Sequence, residues 1–395
     1  MIDKDDINNI TILGAGVMGR EIAQVALMAG FRKVISYSRS QETLNKAVNF
    51  IERGLQKMES KAKLKEGFTA NLLMKNLSLE RNVEKAVENA DFVIESVPEI
   101  MELKQEIFNK LGKNAPKNAI LATNTSTMSI TKIAENSGRP DKVLGMHFFT
   151  PVPVLRLIEI VKGKFTSDET INTALEVGKR FPALRGERFL PVIQKETPGF
   201  IVNRLNISTN LYLNWLLDYA TEKNIPLEQI DAESEDISPL GVFARWDYFG
   251  LDTIYNVLTY FAQNLSQEFA PGKILKKLVK EGNLGKKTGK GLYEWREDKP
   301  ILDKSKKAGI FDTELYIAIQ LNEGCRLLED DVIPNYTIID ETMLAGMGKP
   351  GPFSMGITNY QKWAKLLDDF SEKSGIKYLK PCQLMKSGDF LKMRK

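Results

Sequence analysis

One histidine occurs in 395 residues, His147. It opens the run His147-Phe148-Phe149-Thr150-Pro151-Val152-Pro153-Val154-Leu155-Arg156-Leu157-Ile158-Glu159. An imidazole can move a proton near neutral pH, and a carboxylate beside it fixes its tautomer and stabilises its protonated form. Lys142 to Met146 reads as a short buried strand, and Val154 to Ile160 alternates like a second one. Pro151 and Pro153 fix their own φ and bias the residues before them away from helix, so the chain turns between the strands. His147 and Glu159 are equidistant from Pro153. A hairpin centred there sets their side chains close together. The same residues also fit a structural histidine at a strand end with a solvent-facing glutamate.

A second chemical signature lies near the N-terminus. Ile10 to Leu13 is a short strand, Gly14-Ala15-Gly16-Val17-Met18-Gly19 follows at once, and Arg20 to Gly30 reads as an amphipathic helix. A strand, G-x-G-x-x-G and a helix in this order bind a dinucleotide. Gly14 permits the tight turn, Gly16 lets backbone approach a pyrophosphate, Gly19 lets helix and strand pack, and the helix N-terminus faces the phosphates. The next strand, Val34 to Tyr37, ends in Ser38-Arg39-Ser40. NAD-binding proteins commonly offer an acidic residue to the ribose here. A hydroxyl and a guanidinium suit a 2′-phosphate, so the pair leans toward NADP over NAD. Alternatively, Ser38 caps the following helix with Gln41, and Arg39 is solvated.

The elements that carry these groups follow an α/β pattern. Strands are expected at 91–97, running into Pro98-Glu99 and a helix with Lys104, and at 119–123, running into Asn124-Thr125-Ser126-Thr127. Both polar tips lie at carboxyl ends of parallel strands, where ligands sit in open sheets. Ser126 is therefore placed to hydrogen-bond a substrate oxygen, or to cap the next helix. Residues 40 to 75 read as a Lys-rich helical hairpin whose Lys57, Lys61, Lys63 and Lys65 could meet an anionic substrate tail or simply be solvated. A helix over 168–180 and a strand near 189–194 follow. Thr197-Pro198-Gly199 then starts a long helix and offers a hinge. From there to about residue 280 no βα alternation is visible.

The C-terminal third repeats. Ile225-Pro226-Leu227-Glu228-Gln229-Ile230-Asp231 resembles 333–340, and Pro239-Leu240-Gly241-Val242-Phe243 resembles 350–353, both at an offset near 110 residues. A fixed offset between helical units implies a duplicated domain. The expected organisation is 1–194, a dinucleotide-binding domain; 195–297, a helical domain; and 308–395, its second copy, joined through the charged stretch 296–307.

Composition bounds the remaining choices. The chain is 43% hydrophobic and 27% charged with a formal charge of +4, ordinary for a globular protein and far from a nucleic-acid signature. No run approaches a transmembrane length, and the polar N-terminus is unlike a signal peptide. The two cysteines have no metal spacing, so no metal is expected and a reducing cytoplasm is the simplest home.

These pieces resemble the 3-hydroxyacyl-CoA dehydrogenases, including the short-chain 3-hydroxybutyryl-CoA type. The matching motifs are GAGVMG (14–19), ESVPE (95–99), NTST (124–127), HFFTPVPVLRLIE (147–159), TPGFIVNR (197–204), FGLDT (249–253) and LGKKTGKGLYEW (284–295), covering roughly residues 8 to 295. Residues beyond resemble the second helical domain of multifunctional fatty-acid oxidation proteins, without their crotonase-like part. The resemblance implies a Rossmann-like α/β domain followed by all-α domains. It implies reversible oxidation of a (3S)-3-hydroxyacyl-CoA with an NAD or NADP cofactor. His147 would be the base, supported by Glu159. Ser126 and Asn203 would contact the substrate oxygen and the active site. Gly14, Gly16, Val17, Met18 and Gly19 would form the phosphate loop, Glu99 and Lys104 would lie on the cofactor side, and Lys61 would meet CoA. It implies a homodimer, although a duplicated helical domain could imitate that interface in a monomer. Departures are Ser38-Arg39 for the usual acid, Thr150 for an Asn, Leu240-Gly241-Val242 for Met-Gly-Pro, and extra residues near 182–190. Competing readings are a gulonate-dehydrogenase-like enzyme acting on a non-CoA hydroxy acid, and a cofactor-binding protein without catalysis.

Overall fold

The computed structural model describes residues 7–394; the first six residues of the acidic N-terminus lie outside that range. The described residues divide into two compact units, 7–200 with Asp331–Pro334 and Ile338–Gly351, and Ile201–Asp330 with Asn335–Thr337 and 352–394.

The first unit is built on eight strands: β1 (Asn9–Leu13), β2 (Lys33–Tyr37), β3 (Leu77–Glu80), β4 (Phe92–Glu95), β5 (Ile120–Thr123), β6 (Val143–Phe148), β7 (Ile158–Val161) and β8 (Val192–Ile193). Their order is β3-β2-β1-β4-β5-β6-β7-β8, with every pair parallel except β6–β7. Helices α1 (Val17–Ala29), α2 (Gln41–Ser60), α3 (Ala70–Met74), α4 (Val83–Val87), α5 (Met101–Asn114), α6 (Ile130–Ala134) and α7 (Asp168–Arg180) connect them. Strand side chains alternate between faces. Ile10, Ile12, Phe92, Ile94, Ile120, Ala122, Leu144, Met146, Phe148, Ile158 and Ile160 all point to one core, packed against Ile22, Val25 and Ala26 of α1 and Ile171, Ala174 and Val177 of α7. By the same period, His147 and Glu159 belong to the opposite face.

Several local expectations need correction. The strand after the Pro-rich turn begins only at Ile158, because 151–155 folds as a turn in which Val154 and Leu155 both donate to the Pro151 carbonyl. No continuous helix starts at Pro198. Residues 198–201 form turns and the helix begins at Val202. The 40–75 hairpin is one long helix followed, after a loop, by the five-residue α3. The pair β3 and α4 was not anticipated, since Leu77-Ser78-Leu79-Glu80 is too short and mixed to stand out.

The second unit is helical: α8 (Val202–Ser208), α9 (Asn210–Glu222), α10 (Leu227–Glu233), α11 (Val242–Phe249), α12 (Leu251–Asn264), α13 (Lys273–Lys280), α14 (Thr313–Glu329), α16 (Phe353–Ser374) and α17 (Gln383–Ser387); most of α15 (Tyr336–Met347) clusters with the first unit. Residues 201–330 and 352–395 cluster in one compact unit, which takes in most of the 195–297 and 308–395 stretches. The Asn214 side chain accepts from Gly272 N–H at 3.0 Å and donates to the Ala270 carbonyl at 3.1 Å. Asn322 does the same, accepting from Cys382 N–H at 2.8 Å and donating to the Lys380 carbonyl at 3.1 Å. A Cβ on Gly241 would lie 2.3 Å from the Asp231 side chain, and one on Gly351 would lie 2.1 Å from Asp340. No helix among the described residues is long and apolar enough to cross a membrane.

Candidate active site

His147 and Glu159 face each other in register across the antiparallel β6–β7 pair. His147 Nδ1 lies 2.7 Å from Glu159 Oε2. Glu159 is fully buried and His147 is 6% exposed. A carboxylate only accepts, so it selects the Nδ1–H tautomer and leaves Nε2 with its lone pair. The imidazole also lies between Phe149, with ring centroids 4.4 Å apart, and Phe200, at 5.8 Å. The turn linking the strands is pinned from two sides. Glu21 on α1 accepts from Val152 N–H at 2.7 Å and from the Thr150 hydroxyl at 3.1 Å. The Arg188 guanidinium donates to the carbonyls of Leu155, Val152, Phe181 and Pro182. Burial lowers its pKa to about 10. The longer loop near 182–190 is therefore fastened to the turn after His147.

A second polar group gathers at the carboxyl ends of β4 and β5. Glu99 accepts from Ser126 N–H (2.7 Å), the Ser126 hydroxyl (3.2 Å) and the Thr125 hydroxyl (2.8 Å). Lys104, 1% exposed, lies 3.0 Å from Glu99 and 2.8 Å from the fully buried Glu95. Burial by itself would raise the Glu99 carboxyl, but the Lys104 charge and the bonds from Ser126 and Thr125 outweigh it and hold it below its ordinary range. Burial likewise opposes the Lys104 charge, yet Glu95 and Glu99 raise its pKa. Ser126 caps no helix; Ser129 caps α6. Asn124 accepts from Phe148 N–H at 2.8 Å, tying this cluster to the strand that carries His147.

The phosphate loop leaves β1 beside β4. Gly14 has φ +103, and a Cβ there would lie 2.4 Å from the Ser96 carbonyl oxygen. A Cβ on Gly19 would lie 1.7 Å from the Gly14 carbonyl oxygen. A Cβ on Gly16 would meet nothing within 4 Å, and Val17 is 57% exposed. The loop thus presents backbone N–H groups and open space at the start of α1, which fits a dinucleotide pyrophosphate. Val17 and Met18 lie in the first turn of that helix. At the end of β2, Ser38 does not cap α2; Ser40 does, accepting from Thr43 N–H. Ser38 Oγ accepts from Ser40 N–H, and Arg81 Nε donates to the Arg39 carbonyl. The Glu80 carboxylate accepts from the N–H groups of Arg81 and Asn82, which keep its pKa low.

A cleft of about 640 Å³ lies against α2. Arg20, Lys46, Arg53 and Lys57 line it with Phe50 and Pro153. Of the four lysines singled out in 40–75, only Lys57 lines this cleft; Lys61 ends α2, and Lys65 donates to the Ala29 carbonyl.

A family model described as "3-hydroxyacyl-CoA dehydrogenase, NAD binding domain" matches residues 9–183, and one described as "3-hydroxyacyl-CoA dehydrogenase, C-terminal domain" matches residues 199–295. The chain belongs to the 3-hydroxyacyl-CoA dehydrogenase family. The mitochondrial hydroxyacyl-coenzyme A dehydrogenase of Rattus norvegicus is 35% identical over 306 residues, 73% of this chain and 92% of the relative. The fatty acid oxidation complex subunit alpha of Vibrio campbellii is 29% identical over 394 residues, 95% of this chain and 54% of that relative. The solved 3-hydroxybutyryl-CoA dehydrogenase from Escherichia coli matches with a TM-score of 0.82 at 26% identity, over 98% of each chain.

Within this family member, the site residues named from sequence fall into groups. His147 joins Glu159, and Ser126 joins Glu99 and Lys104, all in the first unit. Asn203 lies on α8 of the second unit. Sequence reasoning missed Glu21, Glu95, Arg188, Arg53 and Arg20. The cleft had a readable signal: Lys46, Asn49, Phe50, Arg53 and Lys57 recur at helical spacing on one face of α2.

Proposed function

We propose that this protein oxidises (3S)-3-hydroxyacyl-CoA to 3-ketoacyl-CoA, and runs the reverse reduction, with His147 as the proton-transfer group. The observation that carries the reading is the 2.7 Å contact between His147 Nδ1 and the buried Glu159. With Nδ1–H donated to Glu159, Nε2 takes the proton of the 3-hydroxyl, and Glu159 stabilises the imidazolium that results. A bound nicotinamide dinucleotide supplies the acceptor for the hydride from C3. Gly14, Gly16 and Gly19 would hold its pyrophosphate at the start of α1, with Val17 and Met18 in the first helical turn. Glu99 and Lys104 would line its nicotinamide side, and Glu99 orients Ser126, which hydrogen-bonds the substrate oxygen. The cationic cleft, with Lys61 at the end of α2, receives the anionic part of CoA. The test is the rate of reduction of acetoacetyl-CoA against CoA-free acetoacetate. Turnover of the thioester alone supports the reading, and equal rates overturn it.

Finer assignments follow from the same site. Ser38, Arg39 and Arg81 stand at the ribose end of β2, while Glu80 is occupied by its own turn, so NADP(H) is accepted and preferred. A kcat/KM higher with NADH than with NADPH would contradict this. The paired Asn214 and Asn322 brackets, and the paired Asp231–Gly241 and Asp340–Gly351 contacts, support a duplicated helical domain. A second copy in the same chain can imitate the dimer interface, so a monomer is proposed in place of the homodimer that the family resemblance implies. A concentration-independent dimer in sedimentation would contradict this.

A further inference from the structure

We infer that Phe200 is a positioning residue that holds the plane of the His147 ring for proton transfer. The inference rests on the reading of His147 as the base.

Phe200 is fully buried and has φ +55, in the left-handed region. Its neighbour Gly199 has φ +80. Glycine enters that region freely; a phenylalanine Cβ is crowded there. The backbone alone would therefore favour glycine at both positions. Strained residues of this kind cluster at functional sites, where the surroundings over-determine them. The Phe200 ring supplies the compensating contact. It meets the His147 ring at a centroid distance of 5.8 Å and an interplanar angle of 60°, edge-on.

A positioned base needs more than its hydrogen bond. The outer torsion of a histidine is a broad well, not three sharp ones. One bond, from Nδ1 to Glu159, fixes one ring atom and leaves the ring free to swing about that bond. Phe149 and Phe200 both contact the ring and limit the swing. Phe149 comes with the strand that carries His147. Phe200 arrives from 53 residues away in sequence, on a separately anchored segment. Four residues before it, Glu196 accepts from the Ser129 hydroxyl at 2.8 Å and from Thr131 N–H at 2.9 Å. Phe200 N–H donates to the Thr197 carbonyl at 3.1 Å, closing the turn. The segment is thereby tied to the start of α6, and its left-handed pair aims the ring at the base.

The experiment compares Phe200→Ala and Phe200→Gly in the full chain, by thermal melting and by steady-state reduction of acetoacetyl-CoA. Both variants lose the ring, and glycine alone also relieves the backbone. Phe200→Gly is expected to melt higher than Phe200→Ala. Both are expected to lose about 30- to 100-fold in kcat, with KM for each substrate within about threefold of wild type, since misplacement of a catalytic group acts on the chemical step. A folded variant with kcat within about twofold of wild type overturns the inference. So does a kcat that recovers in step with melting temperature, because that marks a merely structural role. If the wild type itself does not reduce acetoacetyl-CoA, the reading of His147 fails first, and the two failures are separable.

Discussion

Replacing Glu159 by glutamine changes one oxygen to an amide nitrogen and nothing in side-chain shape. Glu159 is fully buried, and its Oε2 lies 2.7 Å from His147 Nδ1. The carboxylate contributes in two ways. It strengthens the hydrogen bond to an imidazolium by charge, and charge-assisted bonds exceed neutral ones by roughly 1–2 kcal/mol. It also enforces the Nδ1–H tautomer. A glutamine can present its NH₂ instead, which selects Nε2–H and removes the base. Losing both should cost about 3–5 kcal/mol of transition-state stabilisation, or about 10²–10⁴ in kcat. Stability should move the other way or not at all, because a buried carboxylate facing a neutral imidazole carries a desolvation penalty that an amide lacks. The assay is acetoacetyl-CoA reduction followed by nicotinamide absorbance, beside a melting curve. A folded Glu159→Gln enzyme within tenfold of wild-type kcat would refute the role given to the pair.

Other perturbations separate the parts of the site. Gly16 faces open space, so Gly16→Ala should melt like wild type but raise the dinucleotide KM by roughly tenfold or more; Gly19→Ala drives a Cβ to 1.7 Å from the Gly14 carbonyl oxygen and should lose on the order of 3 kcal/mol of stability. Burial raises the Asp231 pKa to about 6, against the opposing bonds from Phe243, Tyr293 and Ala244. The unfolded chain releases this proton near 3.8 and the folded chain holds it to about 6, so the stability that Asp231 contributes falls as pH rises through that window and is level above it. Denaturation of wild type and Asp231→Asn across the window should show the wild-type advantage shrinking by about 3 kcal/mol; an advantage that grows with pH would contradict the burial assignment. Arg53→Glu in the α2 cleft should raise the acetoacetyl-CoA KM roughly tenfold at low salt and less at high salt, leaving the NADH KM in place, and an unchanged KM would move the CoA site elsewhere.

Much of the chemistry was legible because it is local. The hairpin register follows from two prolines and the equal distances to Pro153, and β6 and β7 pair His147 with Glu159 accordingly. The G-x-G-x-x-G run carries its own strand and helix. The 168–180 helix has a Ser167 cap, two acids in its first turn and two basic residues in its last, which together fix both ends. What could not be read is non-local. Glu21 meets Thr150 and Val152 across about 130 residues, and nothing near either segment announces it. Arg188 holds a turn more than 30 residues upstream through carbonyls, which have no residue signature. Ser126 and Ser129 are equally good caps by type; the choice is made by Glu99, which takes Ser126. Pro198 reads as a helix start, but the positive φ of Gly199 and Phe200 postpones the helix to Val202.

The most direct measurement is NADH and NADPH oxidation with acetoacetyl-CoA by the wild type and by His147→Asn, which keeps a polar side chain and deletes the titrating ring. Wild-type turnover in the ordinary enzymatic range, about 1–10³ s⁻¹ with at least one nicotinamide, and a loss of about 10³-fold or more in the folded variant is the predicted result. Equal rates in the two proteins, or no wild-type turnover with either nicotinamide, would contradict the assignment of His147 as the proton-transfer group of a 3-hydroxyacyl-CoA dehydrogenase.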